Sequence, residues 1–252
     1  ITLIDFPQAI NPNKNPNAYP IFQRDVFRIC EYFIGKGLDI HPMKLADELW
    51  AENNYSTAPN ILWTDDEDQE IEGKDPMSLE LVIRAEQKSD YDAIKEVNDQ
   101  AFDRPDEGRL VENLRLRPEF DARLSFIAAL NGKIIGHALF FPIHIQGQDG
   151  REYRCLSLGP IAVIPEYQNQ GIGGLLIGVG HTTALKLGYN SVVLLGHPGY
   201  YPRFGYKPAK RWNLTNPWGY TDDPWMAIEL VENSLVGKSG LAVYPEAFNE
   251  VT

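Results

Sequence analysis

The run Gln168-Asn169-Gln170-Gly171-Ile172-Gly173-Gly174 carries the clearest chemistry in this 252-residue chain. It follows the apolar run Leu156-Ser157-Leu158-Gly159-Pro160-Ile161-Ala162-Val163, and the apolar Leu175-Leu176-Ile177 comes after it. That order predicts a strand, a polar turn and a helix. Glycines in such a turn let main-chain N–H groups converge on one point with no side chain in the way. The helix adds the positive end of its dipole there. Together they form a site for a phosphate or pyrophosphate. The Walker form is excluded, because no Gly-Lys-Ser/Thr follows. The dinucleotide fingerprint fits poorly, since the glycines start three residues too late and no acidic residue closes a following strand.

Other reactive side chains flank this turn. The Gly159-Pro160 break inside an apolar run marks a bulge or an edge in the preceding strand. Downstream, Ser191–Leu195 reads as a continuous buried strand. It leads into Gly196-His197-Pro198-Gly199-Tyr200-Tyr201-Pro202-Arg203-Phe204-Gly205-Tyr206. His197 stands just beyond the C-terminal end of that strand, where α/β sites gather, although shaping the turn before Pro198 explains it equally well. His137 lies in an apolar strand and reads as a core histidine. Cys30 and Cys155 sit in apolar surroundings and read as buried free thiols, without metal-ligand company.

The hexamer Gln168-Asn169-Gln170-Gly171-Ile172-Gly173 resembles motif A of the GNAT superfamily of acetyl-CoA-dependent N-acyltransferases, written Gln/Arg-x-x-Gly-x-Gly/Ala. The broken strand before it and Tyr201, four residues before Gly205-Tyr206, match the family in order and spacing. The resemblance spans about residues 79–248. It implies a mixed α/β sheet in the GNAT fold. It places a coenzyme A diphosphate on the main chain of Gln168, Asn169, Gln170, Gly171, Ile172, Gly173 and Gly174. It also places the pantetheine arm on the exposed backbone of Ile161, Ala162 and Val163. The implied activity is transfer of acetyl from acetyl-CoA to a primary amine, by direct attack in a ternary complex. The alternative is a non-catalytic acyl-CoA-binding module.

Such a transfer needs a neutral amine, a polarised thioester carbonyl and a proton for the departing thiolate. Tyr201 is the expected general acid. Tyr200 is its twin, and only the spacing to Gly205-Tyr206 separates them. Many relatives place a Glu base on the split strand, and this strand offers none. Glu152 lies too far back and Glu166 sits in the turn. Ser157, His197 and His137 remain as candidates, and ordered water would make a dedicated base unnecessary. Neither cysteine occupies a nucleophile position. The acceptor is read only as a small-molecule or peptide amine. Its pocket would come from the Phe102–Arg117 segment and the Trp212–Trp225 loop. The latter holds Trp212, Trp218, Tyr220 and Trp225, which suggests an aromatic wall, though such clusters more often form core. A homodimer is compatible with this reading.

The elements that must position these residues follow from periodicity. In residues 78–252, a strand at 79–85 precedes a helix capped by Ser89 and running to about Phe102, with Tyr91, Ile94, Val97 and Ala101 along its apolar stripe. A shorter helix carries Leu110, Val111 and Leu114. Asn131-Gly132 is a two-residue hairpin signal between strands at 124–130 and 134–145, and Asp149-Gly150 marks a second hairpin. The glycine turn opens a helix to about Leu187. Strands at 227–231 and 241–244 close the domain.

Residues 1–55 form a separate, mostly helical extension. Phe22, Val26, Ile29, Cys30 and Phe33 share one helical stripe, and a second helix starts at Pro42 with Leu45, Ala46, Leu49 and Trp50 inward. Ile4-Asp5-Phe6-Pro7-Gln8, with Arg24-Asp25-Val26 and the two helices, is similar to the C-terminal part of RIO-type atypical protein kinases. That resemblance would make Asp5 the magnesium-binding aspartate. The chain carries no nucleotide-binding lobe, phosphate-anchoring Lys or catalytic loop to go with it, so kinase activity is not expected. Residues 56–77 hold an acidic run, Asp65 to Glu70, and read as a solvated linker.

Composition bounds the rest. Hydrophobic content of 43% and charged content of 23% suit a globular protein with a real core. The net charge of −12 argues against nucleic acid or an anionic membrane as partner. The excess is uneven, since residues 1–76 hold 14 acidic against 6 basic residues. No metal, membrane span or secretory signal is expected, and a cytoplasmic location follows from that pattern.

Overall fold

In a computed structural model, the described residues are Phe22, Val26, Cys30, 42–52, 81–220 and 224–250. The chain divides into two compact units, Ile1–Lys74 and Asp75–Thr252. In the first, helix α1 (Pro42–Glu52) begins at the proline, whose missing N–H costs nothing in a first turn. Ala46 and Trp50 are buried one turn apart; Leu45 is partly buried. Ala46 clusters with Val26 and Cys30, and the Phe22 ring lies 5.2 Å from that of Trp50. Leu49 was expected to face inward. It is exposed, because it lies a full 100° round the helix from Trp50. The segment around Asp5 and the acidic run lie outside the described residues.

The second unit is a mixed sheet with helices on both faces. Its strands are β1 (Leu81–Ala85), β2 (Ser125–Leu130), β3 (Lys133–Gly147), β4 (Glu152–Val163), β5 (Ser191–Leu195), β6 (Lys207–Pro208), β7 (Leu214–Thr215), β8 (Trp225–Glu229) and β9 (Gly240–Val243). The main path runs β1-β2-β3-β4-β5-β8-β6, and β9 joins β3 to β7. The Asn131-Gly132 hairpin forms as expected, both residues having positive φ (50° and 81°). β8 starts two residues earlier than the apolar pattern suggested. Trp225 pairs with Leu195, and its buried indole N–H donates to Leu214 O at 3.0 Å.

Helix α2 (Tyr91–Phe102) buries Ile94 and Val97, and helix α3 (Asp106–Arg115) buries Leu110, Val111 and Leu114. Ser89 does not cap α2. It lies inside a short 3-10 turn, Lys88–Asp90, and Asp90 accepts the Gln87 N–H at 2.7 Å and two bonds from Arg84. The shorter helix expected around Leu110, Val111 and Leu114 forms as α3, which occupies most of the Phe102–Arg117 segment. Helix α4 (Ile172–Lys186) is buried without interruption from Leu175 to His181, which marks it as a core helix. It crosses β3 so closely that the Phe140 ring occupies the space a side chain at Gly180 would need.

Candidate active site

The central feature is a fork in the sheet. β4 and β5 run parallel and pair only at Leu156–Val192 and Ser157–Val193. Beyond Ser157, β4 continues to Val163 along β3 alone. Every second residue there points its N–H and C=O away from β3 and into the opening. The cause is local. Opposite Leu139, β4 carries Gly159 and Pro160 between Leu158 and Ile161, so the register slips by one residue. That bulge bends the strand outward. Ile161, Ala162 and Val163 therefore line an open strand edge.

The glycine turn sits at the end of that edge. Gln168 reaches back, its Nε2 donating to Val163 O at 2.9 Å, while Gln170 Nε2 donates to Glu166 O at 3.1 Å. Asn169 and Gly171 both take positive φ, 60° and 85°, and Gly171 caps α4. The first bond into the helix is Leu175 N–H to Gly171 O at 3.1 Å. The N–H groups of Ile172, Gly173 and Gly174 precede the helical ladder and have no carbonyl within the helix to reach. Gly173 keeps this ground clear: a Cβ there would stand 2.6 Å from Tyr200 Oη and 4.0 Å from Ile161 Cδ1. Uncovered amides, a dipole end and a narrow glycine floor suit an anionic diphosphate.

The tyrosine twins part company in three dimensions. Tyr200 is half-buried and brings its hydroxyl over Gly173. Tyr201 is 9% exposed and turns inward. Its ring packs on Gly196 and stands edge-on to Tyr200 and Tyr206, at 5.1 and 5.8 Å between centroids. Burial raises the Tyr201 pKa well above the ordinary phenol value, so the proton stays on at any physiological pH. Tyr206 is pinned in turn, its hydroxyl 2.9 Å from His181 Nε2. Burial pushes the His181 pKa down to about 3, so the ring is neutral and shares a single hydrogen bond with the Tyr206 hydroxyl through Nε2.

The other candidates are dispersed. Ser157 is buried at the fork, and its Oγ donates to Tyr244 Oη at 3.1 Å. His197 is exposed, and its carbonyl takes the Tyr200 N–H at 3.0 Å, which shapes the turn. Arg203 stacks over the Tyr200 ring at 4.9 Å. Glu152 and Glu166 are both exposed. His137 is a core residue, as read. Its Nδ1 lies 3.1 Å from Asn98 Nδ2 and its Nε2 lies 3.0 Å from Ser125 Oγ. Ser125 donates onward to Glu86, which Arg115 grips with two bonds of 2.9 Å. Cys155 is buried, and burial raises its pKa to about 11, leaving no thiolate for nucleophilic work.

Sequence reasoning missed the Ser157–Tyr244 and His181–Tyr206 pairs. Their partners lie 87 and 25 residues apart, with no shared motif to link them. Of the suggested aromatic wall, Trp225 is core at 1% exposed, whereas Trp218 is half-buried and Tyr220 exposed. Among the described residues no cluster could hold a metal ion, and no helix is long and apolar enough to cross a membrane.

Comparison with known proteins places this site in a lineage. Residues 82–209 match the family model described as an acetyltransferase (GNAT) domain. The uncharacterised N-acetyltransferase YhbS of Escherichia coli is 31% identical over 170 residues, spanning 67% of this chain and 99% of that protein. Another, YjhQ of the same organism, is 40% identical over 122 residues, 48% of this chain and 67% of that protein. The crystal structure of E. coli YhbS in complex with CoA superposes with a TM-score of 0.65 at 30% identity, covering 71% of this chain and 97% of that one. A GNAT family acetyltransferase from Brucella melitensis, crystallised with acetyl-CoA, gives 0.55 at 30% identity, covering 67% and 98%. None of these matches lends support to the RIO-like reading of the first 55 residues. The forked sheet, the glycine turn at the helix start and these matches agree, and the chain belongs to the GNAT acetyltransferase family.

Proposed function

We propose that this protein transfers an acetyl group from acetyl-CoA to a primary amine, by direct attack within a ternary complex. The observation that carries the proposal is the fork between β4 and β5, opening at Ser157 with the uncovered amides of α4 at its far end. Relatives at 30% identity crystallised with CoA and with acetyl-CoA support the choice of cosubstrate. The main chain of Gln168–Gly174 holds the diphosphate, and the open backbone of Ile161, Ala162 and Val163 takes the pantetheine arm as an added strand. Amides on that edge polarise the thioester carbonyl. As the amine nitrogen bonds to the carbonyl carbon and the carbon–sulfur bond breaks, Tyr201, kept protonated by burial, gives its proton to the departing sulfur and regains one from solvent water before the next turnover.

On the amine side, Ser157 lies at the fork and His197 at the end of β5; either relays the proton from the amine to water. Direct attack accords with the protonated, buried Cys155. In this reading residues 78–252 are the acetyltransferase domain, 56–77 a linker and 1–55 an appendage, acting in the cytoplasm. The test is a free-thiol release assay with acetyl-CoA across a panel of amines, on the wild-type protein and on Tyr201→Phe. Amine-dependent thiol release that collapses in the variant is expected. Cofactor binding by calorimetry with no release for any amine would overturn the transfer reading and leave an acyl-CoA-binding module.

A further inference from the structure

The two faces of the sheet at the fork carry different chemistry. Directly paired residues of antiparallel strands share a face, and neighbours along a strand alternate. Phe140 pairs with Leu158 and Phe141 with Ser157. Phe140 stacks edge-on against His181 of α4 at 6.0 Å, on the side of Tyr206 and Tyr201. Phe141 meets Phe248 at 6.1 Å, on the other side, and Ser157 bonds to Tyr244 there. The hydroxyl of Tyr244 is thus delivered to the last paired residue of β4 from the face opposite the glycine turn and Tyr201.

Around that hydroxyl stands an aromatic surface. The Tyr244 ring lies 4.7 Å from Trp218, 4.9 Å from Phe248 and 6.4 Å from Trp225. Phe248 and Trp225 are buried and back it, while Trp218 and Tyr244 keep partly open faces. The Trp218 loop is built rather than loose. Asn216, 6% exposed, accepts the N–H groups of Trp218 and Tyr220 at 3.1 and 3.2 Å and donates to Tyr220 O at 2.6 Å. The Trp218 indole is fixed from its other end by a 3.0 Å bond to Asn249. A rigid indole beside a phenol whose hydroxyl meets Ser157, the last residue of β4 paired with β5, can recognise a flat apolar body.

Building on the acetyltransferase reading, we propose that the acceptor is an amine borne on an aromatic or flat apolar body, which lies against Trp218 and Tyr244 while its nitrogen reaches the fork beside Ser157. Trp218 and Tyr244 are the specificity-determining residues. Burial keeps Tyr244 protonated, so its hydroxyl orients the acceptor and takes up no proton.

The test compares four amines at saturating acetyl-CoA by thiol release: 2-phenylethylamine, ethylamine, spermidine and a tripeptide with a free α-amine. The expected result is kcat/KM for phenylethylamine at least about tenfold above that for ethylamine, the size of one well-fitted apolar contact. Trp218→Ala and Tyr244→Ala should pull that ratio towards one, whereas Tyr201→Phe should lower both amines together and leave it. An unchanged coenzyme Kd checks folding, and Trp218→Phe, a milder change, should move the ratio in the same direction by less. Preference for ethylamine, spermidine or the tripeptide, or a ratio indifferent to Trp218, overturns the inference while leaving the acetyltransferase reading standing. Thiol release with none of the four amines, in protein that binds the coenzyme, overturns both.

Discussion

Acidification should destabilise this fold through its buried histidines, and His181 offers a clean measurement. Burial pushes the pKa values of His181 and His137 from 6.5 down to about 3. The unfolded chain takes up a proton on each ring near pH 6.5, whereas the folded chain refuses it until about pH 3. Between those values the unfolded state holds more protons, so stability rises with pH and is lost as pH falls through the window. At pH 5.0 the unfolded ring lies about 1.5 pKa units into its protonated range, worth about 2 kcal/mol per histidine at ~1.36 kcal/mol per unit. At pH 7.5 the effect vanishes. Two such histidines remove about 4 kcal/mol, a large share of the ~5–15 kcal/mol typical of a domain.

His181→Phe keeps a ring between Phe140 and Tyr206 but removes the titration. It also strips the Tyr206 hydroxyl of its hydrogen-bond partner, at a cost of about 1–3 kcal/mol at every pH. The variant should therefore be weaker at pH 7.5, yet lose about 2 kcal/mol less than wild type on going to pH 5.0. Urea denaturation followed by circular dichroism at both pH values reads this difference, and carboxylate contributions cancel in the comparison. Equal losses in the two proteins would refute the account of a neutral, buried His181.

Tyr201→Phe should lower kcat by about 10²–10⁴ with little change in coenzyme affinity, because only the acid proton is removed; steady-state kinetics with calorimetry checks both halves. Gly173→Ala places a Cβ 2.6 Å from Tyr200 Oη, and its signature should be weaker coenzyme binding by calorimetry, about tenfold or more, with the unfolding transition little moved. Cys155→Ala should retain turnover within about threefold while costing about 1 kcal/mol of stability, since the thiol packs and does not react. Arg115→Met leaves the Glu86 carboxylate buried beside Ser125 without its cation, and should cost about 3–5 kcal/mol in denaturant titration.

Patterns that repeat over a few residues were legible in advance. The Gln168–Gly174 turn, the Asn131-Gly132 hairpin, the Gly159-Pro160 bulge and the stripes of α2 and α3 all depend on neighbours in the chain, where turn chemistry and periodicity act directly. The same local logic failed at Ser89. There, Asp90 precedes α2 without a side-chain cap, because its carboxylate turns back to Arg84 on β1 and to the Gln87 N–H.

By itself, then, the sequence determined that this protein carries a glycine turn between a broken strand and an apolar helix, in the order of a GNAT acetyltransferase. Tertiary structure alone decided which tyrosine reaches that turn: Tyr200 extends over Gly173, while Tyr201 folds onto Gly196. It alone brought Tyr244 to Ser157 from 87 residues away, on the face opposite Tyr201. The physical reason is that backbone conformation and amphipathic period are set within a few residues. The face on which a side chain meets a distant partner depends instead on strand register and on the path the chain takes between them.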